Sequence, residues 1–214
     1  MNTNEKFVIT ISREVGSGGR TVGRKLAEKL GVRYLDKALI GELTKQFNLS
    51  VSEIERIKGQ KSNWLLDMLS RVAVQPRPEA FIDRSPLQFD AFLPTSEDIF
   101  QCESAILKEL AEKSSCVIAG RSGFFILKDQ PNKFDIFIGA SRAKRVERIM
   151  QRQRVNAAQA EEIIDKVDTS RENFVKTYAK TSRYDLRNYD LVVNMDKLTE
   201  DEAVDFILRY IERA

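Results

Sequence analysis

The chain has 214 residues, enough for one α/β domain with a modest insertion, and its hydrophobic and charged fractions of 42% and 31% are ordinary for a globular protein. It contains no histidine and only two cysteines, which excludes histidine-based triads, histidine zinc sites and a disulfide framework. The net charge of +3 argues against a nucleic-acid partner. There is no apolar run long enough for a membrane span and no signal-peptide pattern, so we expect a cytoplasmic protein without a membrane partner.

Short apolar segments alternate with amphipathic segments from end to end. They predict strands at residues 7–11, 32–35, 116–119, 134–138 and 191–194, and helices at 21–30, at 103–113, after Ser141, through about 157–180 and after Thr199. Ser50 has the spacing of a capping box and should begin another helix. This alternation predicts a three-layer α/β fold around a parallel sheet, in which ligands bind at the carboxyl ends of the strands.

A glycine cluster lies between the first strand and the first helix. Glycines let a backbone turn around an anion and direct several N–H groups at it, while the helix N-terminus adds partial positive charge. The alternative is a tight turn that binds no ligand. If the cluster binds an anion, the predicted nucleotide-phosphate site consists of Arg13, Gly16, Ser17, Gly18, Gly19, Arg20 and Thr21.

The loop departs from the usual phosphate-binding consensus of Gly, four residues, Gly-Lys and Ser or Thr, and two registers are open. In one, Arg20 replaces the lysine. In the other, which needs no gap and is slightly favoured, Gly19 stands at the lysine position, and Arg13 or more distant arginines supply the missing charge. A lysine restored at position 19 should then raise turnover. In both registers Thr21 is the nearest hydroxyl for a magnesium ion.

A basic segment follows the fourth predicted strand. Residues 142–154 contain six basic side chains and a single acid, Glu147. Such a stretch is either a solvated helix face or a cationic surface that faces a ligand. The basic residues are Arg142, Lys144, Arg145, Arg148, Arg152 and Arg154.

Four segments carry a family resemblance: Gly16–Asp36, Gly120-Arg121, Asp168–Arg171 and Asn188–Asn194. They resemble the cytidylate kinases, and more closely the cytidylate kinase-like family whose loop lacks the usual lysine. The resemblance implies a single domain over residues 1–214 with a P-loop NTPase fold and a parallel sheet of about five strands. It also implies an acceptor-binding helical insertion at 36–100 and an arginine-rich lid with its following helices at 141–180.

The same resemblance implies transfer of the γ-phosphoryl group of ATP to a nucleoside monophosphate, with Mg²⁺ and with CMP among the candidate acceptors. The catalytic residues that the resemblance implies are arginines that compensate the negative charge of the transferring phosphoryl group: Arg20, Arg145, Arg148 and Arg152. Its implied acceptor-binding residues are Asp36, Lys37, Arg121, Asp168 and Arg171. Ser122 replaces the aspartate that helps the family read cytosine, so the resemblance does not fix the base.

A second interpretation keeps the fold and changes the function. The missing lysine favours a nucleotide-binding or regulatory protein with little catalytic activity, whereas arginines retained in three regions favour the kinase. In both interpretations the partners are small-molecule nucleotides.

Overall fold

The computed structural model describes residues 1–36 and 96–213. Lys37, the helix predicted to begin at Ser50 and most of the predicted insertion at 36–100 lie outside the described residues. The strands are β1 (Val8–Arg13), β2 (Arg33–Asp36), β3 (Cys116–Ala119), β4 (Lys133–Gly139) and β5 (Leu191–Asn194). The helices are α1 (Gly19–Leu30), α2 (Ser96–Lys113), α3 (Gly123–Ile126), α4 (Arg142–Gln153), α5 (Ala157–Ala179) and α6 (Glu200–Ile211).

The strands form one parallel sheet in the order β2-β3-β1-β4-β5, so β1 lies at its centre. Val8 of β1 pairs with Cys116 of β3 on one side and with Lys133 of β4 on the other. Because all strands run in the same direction, the carboxyl ends of β1, β3 and β4 meet at one edge. The predicted five-stranded α/β fold is confirmed.

Alternate residues of β1 enter different cores, as the pleat of a strand requires. Val8 packs against Leu107 of α2 in one buried cluster, whereas Ile9 and Ile11 lie in a second cluster. This second cluster also contains apolar residues of α1 and α6. Helices therefore cover both faces of the sheet and give the three layers expected from the sequence.

Side chains cap the two predicted helices that follow Ser141 and Thr199. Ser141 accepts a hydrogen bond from the amide of Lys144, and Thr199 forms a capping box with Glu202 at the start of α6. The start of α2 was predicted incorrectly, since this helix begins at Ser96 and not near Glu103. Its earlier part is supported by Phe100, whose ring stacks on that of Tyr178 in α5 at 4.0 Å between centroids.

Within the described residues, no helix combines the length and the apolar character needed to cross a membrane.

The C-terminal end of α1 allows the cost of a left-handed backbone conformation to be measured. Gly31 ends this helix with a φ of 65°, and a Cβ added there would meet nothing within 4 Å. Gly31→Ala should therefore lower the free energy of unfolding by about 1 kcal/mol through the left-handed conformation alone. Gly31→Asn should lose less, because asparagine tolerates this conformation better. Urea denaturation of both variants measures the difference, and an alanine variant as stable as the parent would contradict it.

Candidate active site at the carboxyl end of the sheet

The glycine loop wraps between β1 and α1 in a conformation that requires glycine. Gly16 has a φ of 82°, and a Cβ there would lie 2.8 Å from the carbonyl oxygen of Arg145. Within the described residues, the amide N–H groups of Gly16, Gly18 and Arg20 donate to no protein acceptor. Three unpaired amides at the N-terminus of a helix are the elements of an anion-binding site.

Ser17 and Glu14 of the loop form their hydrogen bonds within the protein. The amide and hydroxyl of Ser17 both donate to the carbonyl oxygen of Glu14, at 3.4 and 2.9 Å. The Glu14 carboxylate accepts from the amide of Ala140, at 3.1 Å. The acidic side chain of the loop is thus held at the end of β4.

Arg145 of α4 supports the loop and is almost completely buried. Its Nε donates to the carbonyl oxygen of Val15 at 2.8 Å, its Nη1 donates to Glu14 at 3.0 Å, and its Nη2 pairs with Asp168. All three nitrogens of the guanidinium are therefore occupied by protein acceptors. This differs from the sequence expectation that Arg145 contacts the transferring phosphoryl group, because the side chain is used to position the loop.

Asp168 of α5 is the acceptor on which this arrangement converges. Its carboxylate accepts from the amide of Val15 at 3.1 Å and from the guanidinium groups of Arg145, Arg171 and Arg183. Both oxygens accept from protein donors, which places Asp168 to position the loop; the direct acceptor contact expected from the sequence stays a prediction. A buried carboxylate is tolerated because it is paired and hydrogen-bonded.

Two of these arginines also hold the end of β1. Arg171 Nη1 donates to the carbonyl oxygen of Arg13 at 2.9 Å, and Arg183 Nη2 donates to the same oxygen. Burial lowers the pKa of Arg171, and the nearby charges of Arg13 and Arg183 lower it further. A bound anion would reduce the repulsion between these positive charges.

A cavity of about 430 Å³ lies at the carboxyl ends of β1 and β3, beneath α5. Five cationic side chains line it: Arg13, Arg121, Lys166, Arg171 and Arg183. A cavity of this volume suits a small-molecule ligand, and its charge favours a phosphorylated one.

The turn after β3 presents Arg121 to the cavity. Arg121 and Ser122 adopt φ values of 57° and 52°, a conformation that non-glycine residues adopt mainly where the surroundings enforce it. The Arg121 guanidinium pairs with Glu103 of α2 and lies 5.7 Å from the ring centroid of Phe174. The structure therefore brings Arg121 and Arg171, two predicted acceptor-binding residues, to one cavity.

Arg148 and Arg152 of α4 reach the loop and the first turn of α1. A Cβ added to Gly18 would lie 3.0 Å from Arg148 Nη1, so this guanidinium packs directly against the glycine. Arg148 also pairs with Glu200 of α6, and Arg152 Nη2 donates to the Thr21 hydroxyl at 3.2 Å. Both arginines predicted to act at the loop thus contact it.

The hydroxyl of Thr21, the predicted magnesium ligand, and the carboxylate of Asp36 at the end of β2 both accept hydrogen bonds from arginines. Arg20 donates from Nε and Nη2 to Asp36 at 3.0 and 2.6 Å, and the Thr21 hydroxyl accepts from Arg152. In residues 1–36 and 96–213, no cluster of three or more acidic, cysteine or histidine side chains could hold a metal. These residues do not fit a metal site built by the protein, so a magnesium ion would have to arrive on the nucleotide phosphates.

Sequence reasoning missed several residues of the site. Arg183, Glu14, Glu103 and Glu200 contact the predicted residues, and of these four only Glu14 lies within a predicted motif, the glycine loop. Arg183 lies in the turn after α5, where helical periodicity gives no signal. The three glutamates can be recognised as site residues only from the ion pairs that they form with arginines distant in the sequence.

Comparison with known proteins decides the family. The sequence profile of the cytidylate kinase-like family matches residues 8–197. The chain belongs to this family. The match extends through the glycine loop, the cavity and α5, so it covers the candidate site described above except for Glu200.

Individual relatives are distant. A cytidylate kinase of Sulfurisphaera tokodaii is 26% identical over 207 residues, covering 96% of this chain and 95% of that protein. An uncharacterized protein of Eubacterium ventriosum superposes with a TM-score of 0.70 at 25% identity, over 98% of this chain and 100% of the other. The shikimate kinase of Bacteroides thetaiotaomicron has a TM-score of 0.53 at 14% identity, over 97% and 99% of the two chains, which shows the P-loop kinase fold alone.

The role of Asp168 in this cytidylate kinase-like protein can be separated from that of an ordinary surface acid. Asp168→Asn should lower the free energy of unfolding by about 3 kcal/mol, because it leaves three guanidinium groups without their buried counter-charge. Asp165 of the same helix also pairs with an arginine, but its side chain is 67% exposed against 9% for Asp168. Asp165→Asn should therefore cost much less stability, because solvent screens an exposed ion pair. Equal losses in chemical denaturation would contradict the positioning role.

Proposed function

We propose that this protein transfers the γ-phosphoryl group of ATP to a nucleoside monophosphate, with CMP as the first candidate acceptor. The family and the fold indicate a kinase of nucleotides or other small molecules. One observation carries the finer proposal: a loop with three unpaired amides borders a cavity lined by five cationic side chains. Two adjoining anion sites are what transfer between two phosphorylated molecules requires.

The donor phosphates occupy the loop. The amides of Gly16, Gly18 and Arg20 bind phosphate oxygens, and Arg148, packed against Gly18, adds a full positive charge. Arg152 provides a second charge at the first turn of α1. Kinases of this type use ATP together with magnesium, and here the ion is carried by the nucleotide.

The acceptor phosphate occupies the cavity. Arg121 and Arg171 present guanidinium groups that can each bind a phosphate through two parallel hydrogen bonds. Phe174 lies among them and offers an aromatic surface to the base or sugar. Lys166, which has no partner among the described residues, adds a charge at the cavity.

The chemistry asks little else of the protein. An oxygen of the acceptor phosphate attacks the γ-phosphorus, the bond from that phosphorus to the bridging oxygen breaks, and the electron pair leaves with ADP. The acceptor phosphate is already ionised, so no general base is needed. The protein supplies alignment and positive charge, which are the main requirements of phosphoryl transfer.

The second candidate is a nucleotide-binding protein with little catalytic activity. It is favoured by one specific observation, namely that Gly19 stands at the lysine position in the ungapped register, so the loop lacks the lysine expected of an active kinase. It is opposed by the cavity, because a binding protein for ATP alone has no need of a second cationic site beside the loop.

Turnover with each nucleoside monophosphate separates the two candidates. With ATP and Mg²⁺ present, CMP should produce ADP at a rate well above the ATPase background in an assay that couples ADP release to NADH oxidation. AMP, GMP, UMP and dCMP are the matched alternatives. If none of the monophosphates stimulates ADP release while ATP binds with micromolar affinity, the binding-protein candidate replaces the kinase.

Arg121 tests the assignment of the acceptor site. Arg121→Gln should weaken monophosphate binding by about ten- to a hundredfold, the loss of a charge-assisted hydrogen bond of about 1.5–3 kcal/mol, while ATP binding changes little. Glutamine can still hydrogen-bond to Glu103, which limits the structural cost. Arg187→Gln is the control, because Arg187 is 90% exposed and pairs only with Asp185 in the described residues. Calorimetry that shows equal losses for CMP and ATP would refute the assignment.

A further inference from the structure

Arg13 and Gly19 compete for the same space at the junction of β1 and α1. A Cβ added to Gly19 would lie 2.8 Å from the Cβ of Arg13 and 3.2 Å from that of Ile138. Separations under 3.0 Å are not found between real Cβ atoms and their neighbours. With this backbone, only one of positions 13 and 19 can carry a side chain.

The phosphate-binding consensus places a glycine at the first of these positions and a lysine six residues later. In the ungapped register, this chain has Arg13 where the glycine belongs and Gly19 where the lysine belongs, while Gly18 matches the second glycine. Compared with the consensus, the cationic side chain therefore lies on the strand and not on the helix. The close approach explains why the two changes occur together.

The Arg13 guanidinium crosses the turn after β3, where a side chain at Gly120 would overlap it. It lines the cavity together with Arg121 and Arg171. Within the described residues, Arg13 forms no side-chain hydrogen bond and no ion pair, whereas Arg121, Arg171 and Arg183 each have a carboxylate partner. Arg13 is therefore a cavity arginine whose positive charge is left for a ligand.

We propose that Arg13 replaces the lysine of the phosphate-binding loop and contacts the phosphoryl group in transit between donor and acceptor. The proposal rests on the proposed kinase function. The side chain starts at the first residue of the loop and ends in the acceptor cavity, so it runs from the loop toward the acceptor. A planar guanidinium can bridge oxygens of two phosphates, which the compact ammonium of a lysine does less well. Arg13 contributes charge and alignment only, and no proton or covalent bond passes through it.

This assignment changes the expectation for a lysine at position 19. Gly19→Lys alone should not raise turnover, because its Cβ overlaps that of Arg13. Arg20, the other candidate in the sequence, pairs with Asp36, and its side chain is 65% exposed. Restoring the usual loop requires removal of the Cβ at position 13 as well.

Four variants test whether the side chains at positions 13 and 19 exclude one another and whether Arg13 replaces the loop lysine, which we call the exchange. They are Arg13→Ala, Gly19→Lys, Arg13→Gly/Gly19→Lys and Arg13→Ala/Gly19→Lys. Thermal unfolding should show a lower Tm for Gly19→Lys, recovery when position 13 is glycine and no recovery when it is alanine, since alanine keeps the Cβ. Calorimetry with ATP and Mg²⁺ should show affinity reduced by about ten- to a hundredfold in Arg13→Ala and partly restored in Arg13→Gly/Gly19→Lys. Arg187→Ala is the control for loss of a surface charge.

The outcomes distinguish this inference from the proposed function. The Tm and the ATP affinity can be measured without turnover. A protein that follows this pattern but has no kinase activity would therefore support the exchange and contradict the proposed kinase function. An active kinase whose Arg13→Ala variant keeps parental ATP affinity and kcat overturns the exchange and leaves the kinase intact. A Gly19→Lys variant with parental Tm would show that the two positions do not compete.

Discussion

The buried carboxylate of Asp168 is the interaction on which the site depends. It pairs with guanidinium groups from three segments, those of Arg145, Arg171 and Arg183, and also accepts a hydrogen bond from the amide of Val15 in the loop. Each arginine in turn binds a carbonyl oxygen of the loop or of β1. One negative charge therefore ties α4, α5 and the turn after α5 to the glycine loop, and it lets arginines crowd at the end of β1 without mutual repulsion dominating.

The arginines of the site divide into two groups by their partners. Those with carboxylate and carbonyl acceptors on several sides, Arg145 and Arg183, are almost fully buried and build the frame. Those with an open edge or no partner, such as Arg13 and Arg171, can offer nitrogens to a ligand in the cavity, which Arg183 also lines. The division matters because a guanidinium saturated by protein acceptors has little left to offer a phosphate. A chain without histidine and without the loop lysine can in this way concentrate positive charge where phosphates would lie.

The sequence predicted the fold well because its signals are local. Strand burial, helix periodicity and capping boxes depend on neighbouring residues, and Ser141 and Thr199 cap their helices as expected. The partners of the arginines depend on contacts across the fold and could not be predicted in the same way. A row of arginines on α4 gives no indication that Arg145 is buried under the loop while Arg148 stays beside it. The steric exchange between Arg13 and Gly19 likewise requires the distance between a strand end and a helix start.

The separation of the contacting residues along the chain has a consequence for biosynthesis. Val15 lies 153 residues before Asp168, and Arg13 lies 170 residues before Arg183. Contacts of such long range form late, because the entropy of closing the loop between them is lost before they stabilise anything. A nascent chain can form α1 early, because its contacts are local, whereas β1 must wait for β3 and β4, and the glycine loop lacks its supporting contacts until the turn after α5 has left the ribosome. The glycine loop thus gains its supporting contacts only after the chain has been synthesised through Arg183.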